Sequence, residues 1–137
     1  MSLDNRVAIV TGGGGGIGVA IARHFARQGA KIAVADIHPE SAKLRTAEIT
    51  GQGGNAFTVV VDVTNKKSVQ EMVRSTLERW GKIDILVNVA GGADPKLVID
   101  MEESDWDHIV NMNLKSVFLC SQAVLPTMIQ QLSLIHI

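Results

Sequence analysis

Tyrosine is missing altogether from this 137-residue sequence; cysteine occurs once, proline three times, and aromatic residues make up only 4%. Each shortage excludes something. Without tyrosine, no phenol in these residues can act as acid, base or hydrogen-bond donor. Cys120 alone cannot form an internal disulfide, so a reducing, cytoplasmic setting is expected and the thiol is expected as a small buried hydrophobe. No run approaches the ~18–20 apolar residues of a membrane span, and the short apolar run near the start, preceded by Asp4 and Arg6, makes no signal-peptide core. Lys and Arg total 13 against 14 Asp and Glu and are scattered, so a net charge of −1 offers no face for nucleic acid or an anionic membrane. His24, His38, His108 and His136 share no metal-ligand spacing; no metal is expected, and all four are expected as surface or core residues.

What the chain does have is apolar residues, at 46%, and 13 glycines. Five of those glycines stand together in Thr11-Gly12-Gly13-Gly14-Gly15-Gly16-Ile17-Gly18, directly after Val7-Ala8-Ile9-Val10. This is the pattern of a turn between a buried strand and a helix, where glycine lets backbone N–H groups come close to a pyrophosphate and lets the helix pack tightly on the strand. Gly13, Gly15 and Gly18 satisfy G-x-G-x-x-G; Thr11-Gly12, Gly16 and Gly18 also satisfy T-G-x-x-x-G-x-G. A second apolar strand ends in Asp36, near the position, about 20 residues past the glycine motif, where a ribose-binding acid is expected.

Strand and helix patterns alternate along the whole chain. Strands are expected over 6–10, 31–35, 57–61 and 83–87, the third ending at Asp62; helices are expected over 16–29, from Pro39 to about Gly51, after a Thr64 or Asn65 cap, and from about Ser104 to Gln130. Ser104 with Asp107 resembles a capping box. Near-continuous apolar strands joined by helices imply a parallel sheet covered on both faces, and right-handed crossovers make it doubly wound. Ligands of such sheets bind at the carboxyl ends of the strands, where Gly12–Gly18, Asp36, Asp62 and Asn88–Gly91 all fall. In the last helix, Trp106, Ile109, Val110, Val117, Val124 and Met128 form one apolar stripe and Leu114, Phe118, Leu125 and Ile129 another, which predicts burial on two sides. Asp84 reads as a strand-edge residue.

Thr11-Gly12-x-x-x-Gly16-Ile17-Gly18, Asp62-Val63, Asn88-x-Ala90-Gly91 and Asn113 within Val110-Asn111-Met112-Asn113-Leu114 together resemble the short-chain dehydrogenase/reductase family, over about residues 5–130. The resemblance implies an α/β doubly wound parallel sheet, the Rossmann fold, with residues 1–130 as its N-terminal portion. It also implies NAD-type hydride transfer between a secondary alcohol and a ketone. Carried over residue by residue, it assigns Gly12, Gly14, Gly15, Gly16, Ile17 and Gly18 to the cofactor's phosphates and adjoining ribose, Asp36 to the adenosine ribose, Asp62 and Val63 to the adenine, and Asn88, Ala90 and Gly91 to the floor beneath the nicotinamide ribose. Asn113 matches the helix asparagine that holds a water in the family's proton relay, and a purely structural amide is the other reading of both Asn88 and Asn113. NAD is expected over NADP, because Asp36 would repel a 2′-phosphate, Ile37 follows it, and Gly15 offers no basic group. Homodimers or homotetramers are usual in the family, and the stripe from Leu114 to Ile129 is a natural contact for them.

The family's catalytic serine and Tyr-x-x-x-Lys segment are not found in these residues, so this chain is expected to be inactive by itself. Residues 131–137 depart from the family and read as a tail of non-native origin; the fourth strand is expected as an unpaired, aggregation-prone sheet edge. Two alternatives stand beside the oxidoreductase reading: a catalytically silent dinucleotide-binding module, and a methyltransferase-like domain, which Asn88-Val89-Ala90-Gly91 and Asn113 disfavour.

Overall fold

The computed structural model describes residues 2–132 and the backbone of residues 135 and 136. Five parallel strands, β1 (Val7–Thr11), β2 (Lys31–Asp36), β3 (Asn55–Val60), β4 (Ile85–Asn88) and β5 (Ile135–His136), form one sheet in the order β3-β2-β1-β4-β5. Every residue of the central β1 is buried, which is why its sequence is apolar throughout rather than alternating. The pleat divides those residues between two cores. Ile9, Ala33 and Leu86 face Val69, Met72 and Val73 of helix α3 (Lys66–Trp80) and Leu119, Cys120, Val124 and Met128 of helix α5 (Ser116–Gln130). Ala8, Val10, Ile32, Val34, Ile85 and Val87 face Ala22 of α1 (Gly16–Arg27) and Ala42 and Ile49 of α2 (Pro39–Gly51). Burial pushes the Cys120 thiol up to about 11, consistent with an inert core residue.

The first four strands follow the sequence pattern within two residues, and Asn65 caps α3 by accepting from Ser68 N. Asp84 is no edge residue. It is buried just before β4, where its carboxylate accepts from Val7 N at 2.8 Å, Arg6 Nη1 at 3.1 Å and Lys82 Nζ at 2.9 Å, tying the starts of β1 and β4 together.

The expected helix from Ser104 to Gln130 is broken into three parts. Helix α4 (Glu103–Val110) starts at a capping box of Glu102 with Asp105, two residues ahead of the expected pair; Asp105 is also held by Lys96 Nζ at 2.7 Å, which fixes the choice between two boxes of equal spacing. A π-helical segment (Asn111–Lys115) follows, and in it Ser116 N reaches back five residues to the Asn111 carbonyl. The wider turn resets the helical phase. The stripe that α5 buries is Ser116, Leu119, Cys120, Val124 and Met128, whereas Trp106, placed in the same stripe by a continuous helix, is 62% exposed.

The β4 edge is covered in part: Ile135 and His136 pair with Ile85 and Leu86 in parallel. The chain turns there without glycine, Leu132 itself adopting φ of 55°.

Candidate dinucleotide site

At the carboxyl end of β1 the buried Thr11 joins two strands. Its hydroxyl donates to the Val87 carbonyl at 3.3 Å and accepts from Val89 N at 3.1 Å and Ala90 N at 3.2 Å, so the loop after β4 is anchored on β1. The chain then turns at Gly12, whose φ of 65° suits glycine and where a Cβ would stand 2.9 Å from Ala90 N. Gly13 N donates to the Ala35 carbonyl at 3.0 Å and Gly14 N to Asp36 Oδ2 at 2.9 Å, which secures the turn to the end of β2. Gly18, one turn into α1, lies so close to the strand end that a Cβ there would be 2.1 Å from the Gly12 carbonyl oxygen. Gly15 and Gly16, in contrast, have nothing within 4 Å of a notional Cβ. Helix α1 begins at Gly15 with no side-chain cap and no acidic residue in its first turn, leaving its N–H groups and positive dipole end free for an anion.

The glycine turn, Asp36, Asp62, Val63, Ala90 and Gly91 surround one crevice of about 660 Å³. Asp36 Oδ1 accepts from His38 N at 3.0 Å, and Asp62 Oδ1 accepts from the Thr64 N–H at 2.9 Å and hydroxyl at 2.6 Å; each carboxylate is thus oriented by the turn that follows its strand. Of the residues expected at the site, Gly12, Gly15, Gly16, Ile17, Asp36, Asp62, Val63, Ala90 and Gly91 line the crevice. Gly14, Gly18, Asn88 and Asn113 stand behind that lining. Gly14 is turned toward Asp36 and Ser41, Gly18 packs on Gly12, and Asn88 pairs with Thr11 at the end of β4.

Asn113 sits in the π-helical segment, and both N–H groups of its amide are engaged. Nδ2 donates to the carbonyls of Gly92 at 2.8 Å and Ile109 at 2.9 Å, while Oδ1 accepts from Gly92 N at 3.2 Å. The side chain therefore clamps the loop after β4 to the helix. A Cβ at Gly91 would be 2.6 Å from Asn113 Oδ1, so the clamp is seated against the loop.

Sequence reasoning missed several wall residues: His38, Thr64, His108 and Met112 also line the crevice. His38 and Thr64 stand two residues beyond Asp36 and Asp62, a signal available from the strand ends; His108 and Met112 are one helical turn apart and needed the position of α4. Also missed was Arg45, whose Nε donates to the Gly14 carbonyl at 3.4 Å, so a basic group does stand beside the glycine turn.

A parallel sheet whose glycine turn, acidic strand ends and open helix N-terminus meet in one crevice defines a nucleotide-binding α/β protein of the Rossmann type. The family can be stated as well. Residues 6–133 match the short chain dehydrogenase model, and the chain belongs to that family of oxidoreductases. It is 40% identical over 130 residues to the (2S)-[(R)-hydroxy(phenyl)methyl]succinyl-CoA dehydrogenase subunit BbsD of Thauera aromatica, covering 95% of this chain and 52% of that protein. It is 38% identical to the 3-oxoacyl-[acyl-carrier-protein] reductase FabG of Thermotoga maritima, covering 96% and 53%. Its structure resembles hydroxysteroid dehydrogenase from Escherichia coli with a TM-score of 0.91 at 39% identity, covering 95% of this chain and 55% of the other. The chain thus spans about half the length of the curated relatives it matches. Membership implies a nicotinamide dinucleotide, NAD or NADP, and removes the methyltransferase-like alternative. Among the described residues no helix is long and apolar enough to cross a membrane and no cluster of potential metal ligands occurs.

Proposed function

We propose that this chain is the cofactor-binding half of an NAD-dependent oxidoreductase that interconverts a secondary alcohol and a ketone. The observation that carries the reading is the meeting of four strand ends on one crevice, with the open space at Gly15 and Gly16 at one part and Asp36 at another. Gly15, Gly16 and the first turn of α1 would hold the pyrophosphate, Asp36 the adenosine ribose, Asp62 and Val63 the adenine, and Ala90 and Gly91 the nicotinamide ribose, with Gly14, Gly18 and Asn88 supporting them. When bound, the nicotinamide ring supplies the hydride acceptor or donor. Asn113 keeps the floor in place through Gly92 and, following the family resemblance, holds the water of a proton relay. The names of the relatives, an acyl-carrier reductase and a hydroxysteroid dehydrogenase among them, accord with a small alcohol or ketone substrate. The working protein is a homodimer or homotetramer.

NAD is the preferred dinucleotide. A 2′-phosphate set about 4 Å from Asp36 would meet repulsion on the order of 4 kcal/mol per charge pair at an effective dielectric near 20, reduced by solvent screening. Titration calorimetry of the 137-residue chain should find NAD bound at least ~10-fold more tightly than NADP, and Asp36→Ala should narrow the gap. Equal affinities would remove the role given to Asp36; no binding of either would remove the dinucleotide reading itself.

A further inference from the structure

A series of charge-assisted bonds runs across α1 and α2 and ends on the peptide groups of Gly14. The Gly14 N–H donates to Asp36 Oδ2 at 2.9 Å, and the Gly14 carbonyl accepts from Arg45 Nε at 3.4 Å, so one residue of backbone separates a carboxylate in the crevice wall from a guanidinium outside it. Arg45 Nη1 donates to Glu48 Oε1 at 2.6 Å, and Glu48 Oε2 accepts from Arg23 Nη2 of α1. Glu48 is thereby spanned by two guanidiniums. The hydrogen bond from Arg23, opposed by burial and aided by the bond from Arg45, holds its carboxyl below the usual carboxylate range, so it is ionised at neutral pH. Arg23, Arg45, Glu48 and Asp36 then balance two positive charges against two negative ones.

The position of Arg45 matters because guanidinium binds phosphate as a planar fork, with two parallel N–H groups. Here Nη1 is taken by Glu48 and Nε by the Gly14 carbonyl, and the carboxylate of Glu48 cancels the charge that a phosphate would seek. Both side chains are only partly exposed, Arg45 at 29% and Glu48 at 28%, which leaves the pair weakly screened compared with an open surface bridge.

We propose that Glu48 acts with Asp36 to set the choice between NAD and NADP, by holding Arg45 and neutralising its charge beside the glycine turn. Glu48 is a positioning residue: it acts through Arg45 and does not touch the dinucleotide. This rests on the dinucleotide reading of the crevice, and the test separates the two. Calorimetry with NAD and with NADP on the 137-residue chain is compared with Glu48→Gln, Glu48→Gln/Arg45→Met and Glu48→Asp, each checked for folding by a circular-dichroism melt. Glu48→Gln should bind NADP about 10-fold more tightly while its affinity for NAD stays within about 2-fold, since only the 2′-phosphate gains a charged partner. The double variant should lose that gain, and Glu48→Asp, with its charge withdrawn by one methylene, should fall between. Should Glu48→Gln not fold, Glu48→Asp carries the same test with the same sign. Equal shifts for both dinucleotides would mean a merely structural tie and overturn the proposal, as would an NADP gain that survives loss of Arg45. Failure of the wild-type chain to bind either dinucleotide would instead overturn the crevice reading and this proposal with it.

Discussion

Thr11 shows how much one side chain can decide at the residue scale. Its single hydroxyl serves two N–H donors from the loop after β4 and one carbonyl of β4 itself, and Thr11 is buried. Thr11→Val keeps the shape and removes the partner of those N–H groups, at up to about 1–3 kcal/mol for each one that water from the crevice does not reach. A urea titration should show a loss on the order of 2–4 kcal/mol, accompanied by weaker NAD binding because Ala90 and Gly91 are set by the same bond. A change under about 0.5 kcal/mol would mean that water or a rearranged loop replaces the hydroxyl. The glycine run was legible in the sequence as a phosphate turn, yet its members divide the work in a way that spacing does not reveal: Gly12 and Gly18 are required by backbone approach, Gly15 and Gly16 by openness.

On the scale of the element, the π-helical segment between α4 and α5 is the feature with the widest consequences. It places Asn113 where its amide can clamp Gly92, and it turns α5 so that Leu119 and Cys120 enter the core. Leu114 and Phe118 are left 68% and 57% exposed, with Ile129 at 60% further along the same helix. Exposed apolar rows of this kind are typical of contact surfaces, and the proposed homo-oligomer would cover this one. Phe118→Glu should shift the protein toward monomer in light scattering at micromolar concentration; an unchanged assembly would place the interface elsewhere. The expected stripes failed here because a periodicity argument assumes 3.6 residues per turn throughout, and one wide turn changes the phase of everything after it. The capping box was misplaced for a related reason. Two acidic or hydroxyl pairs of equal spacing compete near residue 103, and the tertiary partner Lys96 decides between them.

For the whole molecule, the proposal separates binding from turnover. The crevice is assembled from β1 to β4 and α4, all within this chain, whereas the family's tyrosine acid/base is not among its residues. General acid–base groups contribute about 10²–10⁴-fold each, so the 137-residue chain should give no measurable NADH absorbance change over a panel of secondary alcohols. It should nevertheless respond to NAD. At a concentration about 100 times Kd, binding adds about 2.7 kcal/mol to stability, or on the order of 10 °C in a thermal melt of a chain this size. Turnover by this chain would overturn the first statement, and a melting temperature indifferent to NAD would overturn the second. The pairing of Ile135 and His136 with Ile85 and Leu86 covers part of the sheet edge on which aggregation was expected.

By itself the sequence determined the first four strands, the first three helices and the gathering of Gly12–Gly18, Asp36, Asp62 and Asn88–Gly91 at one end of the sheet. Those follow from local rules: apolar runs buried on both faces, glycine where backbones meet, and the single hand of strand–helix–strand crossovers. Only the tertiary structure decided that Asp84 is a buried clasp, that Asn113 is held by Gly92, that His108 faces the crevice and that Arg45 stands over Gly14. Each of these depends on a partner between 21 and 77 residues away or on the phase of a helix after a wide turn, and neither quantity is encoded in the neighbourhood of the residue concerned.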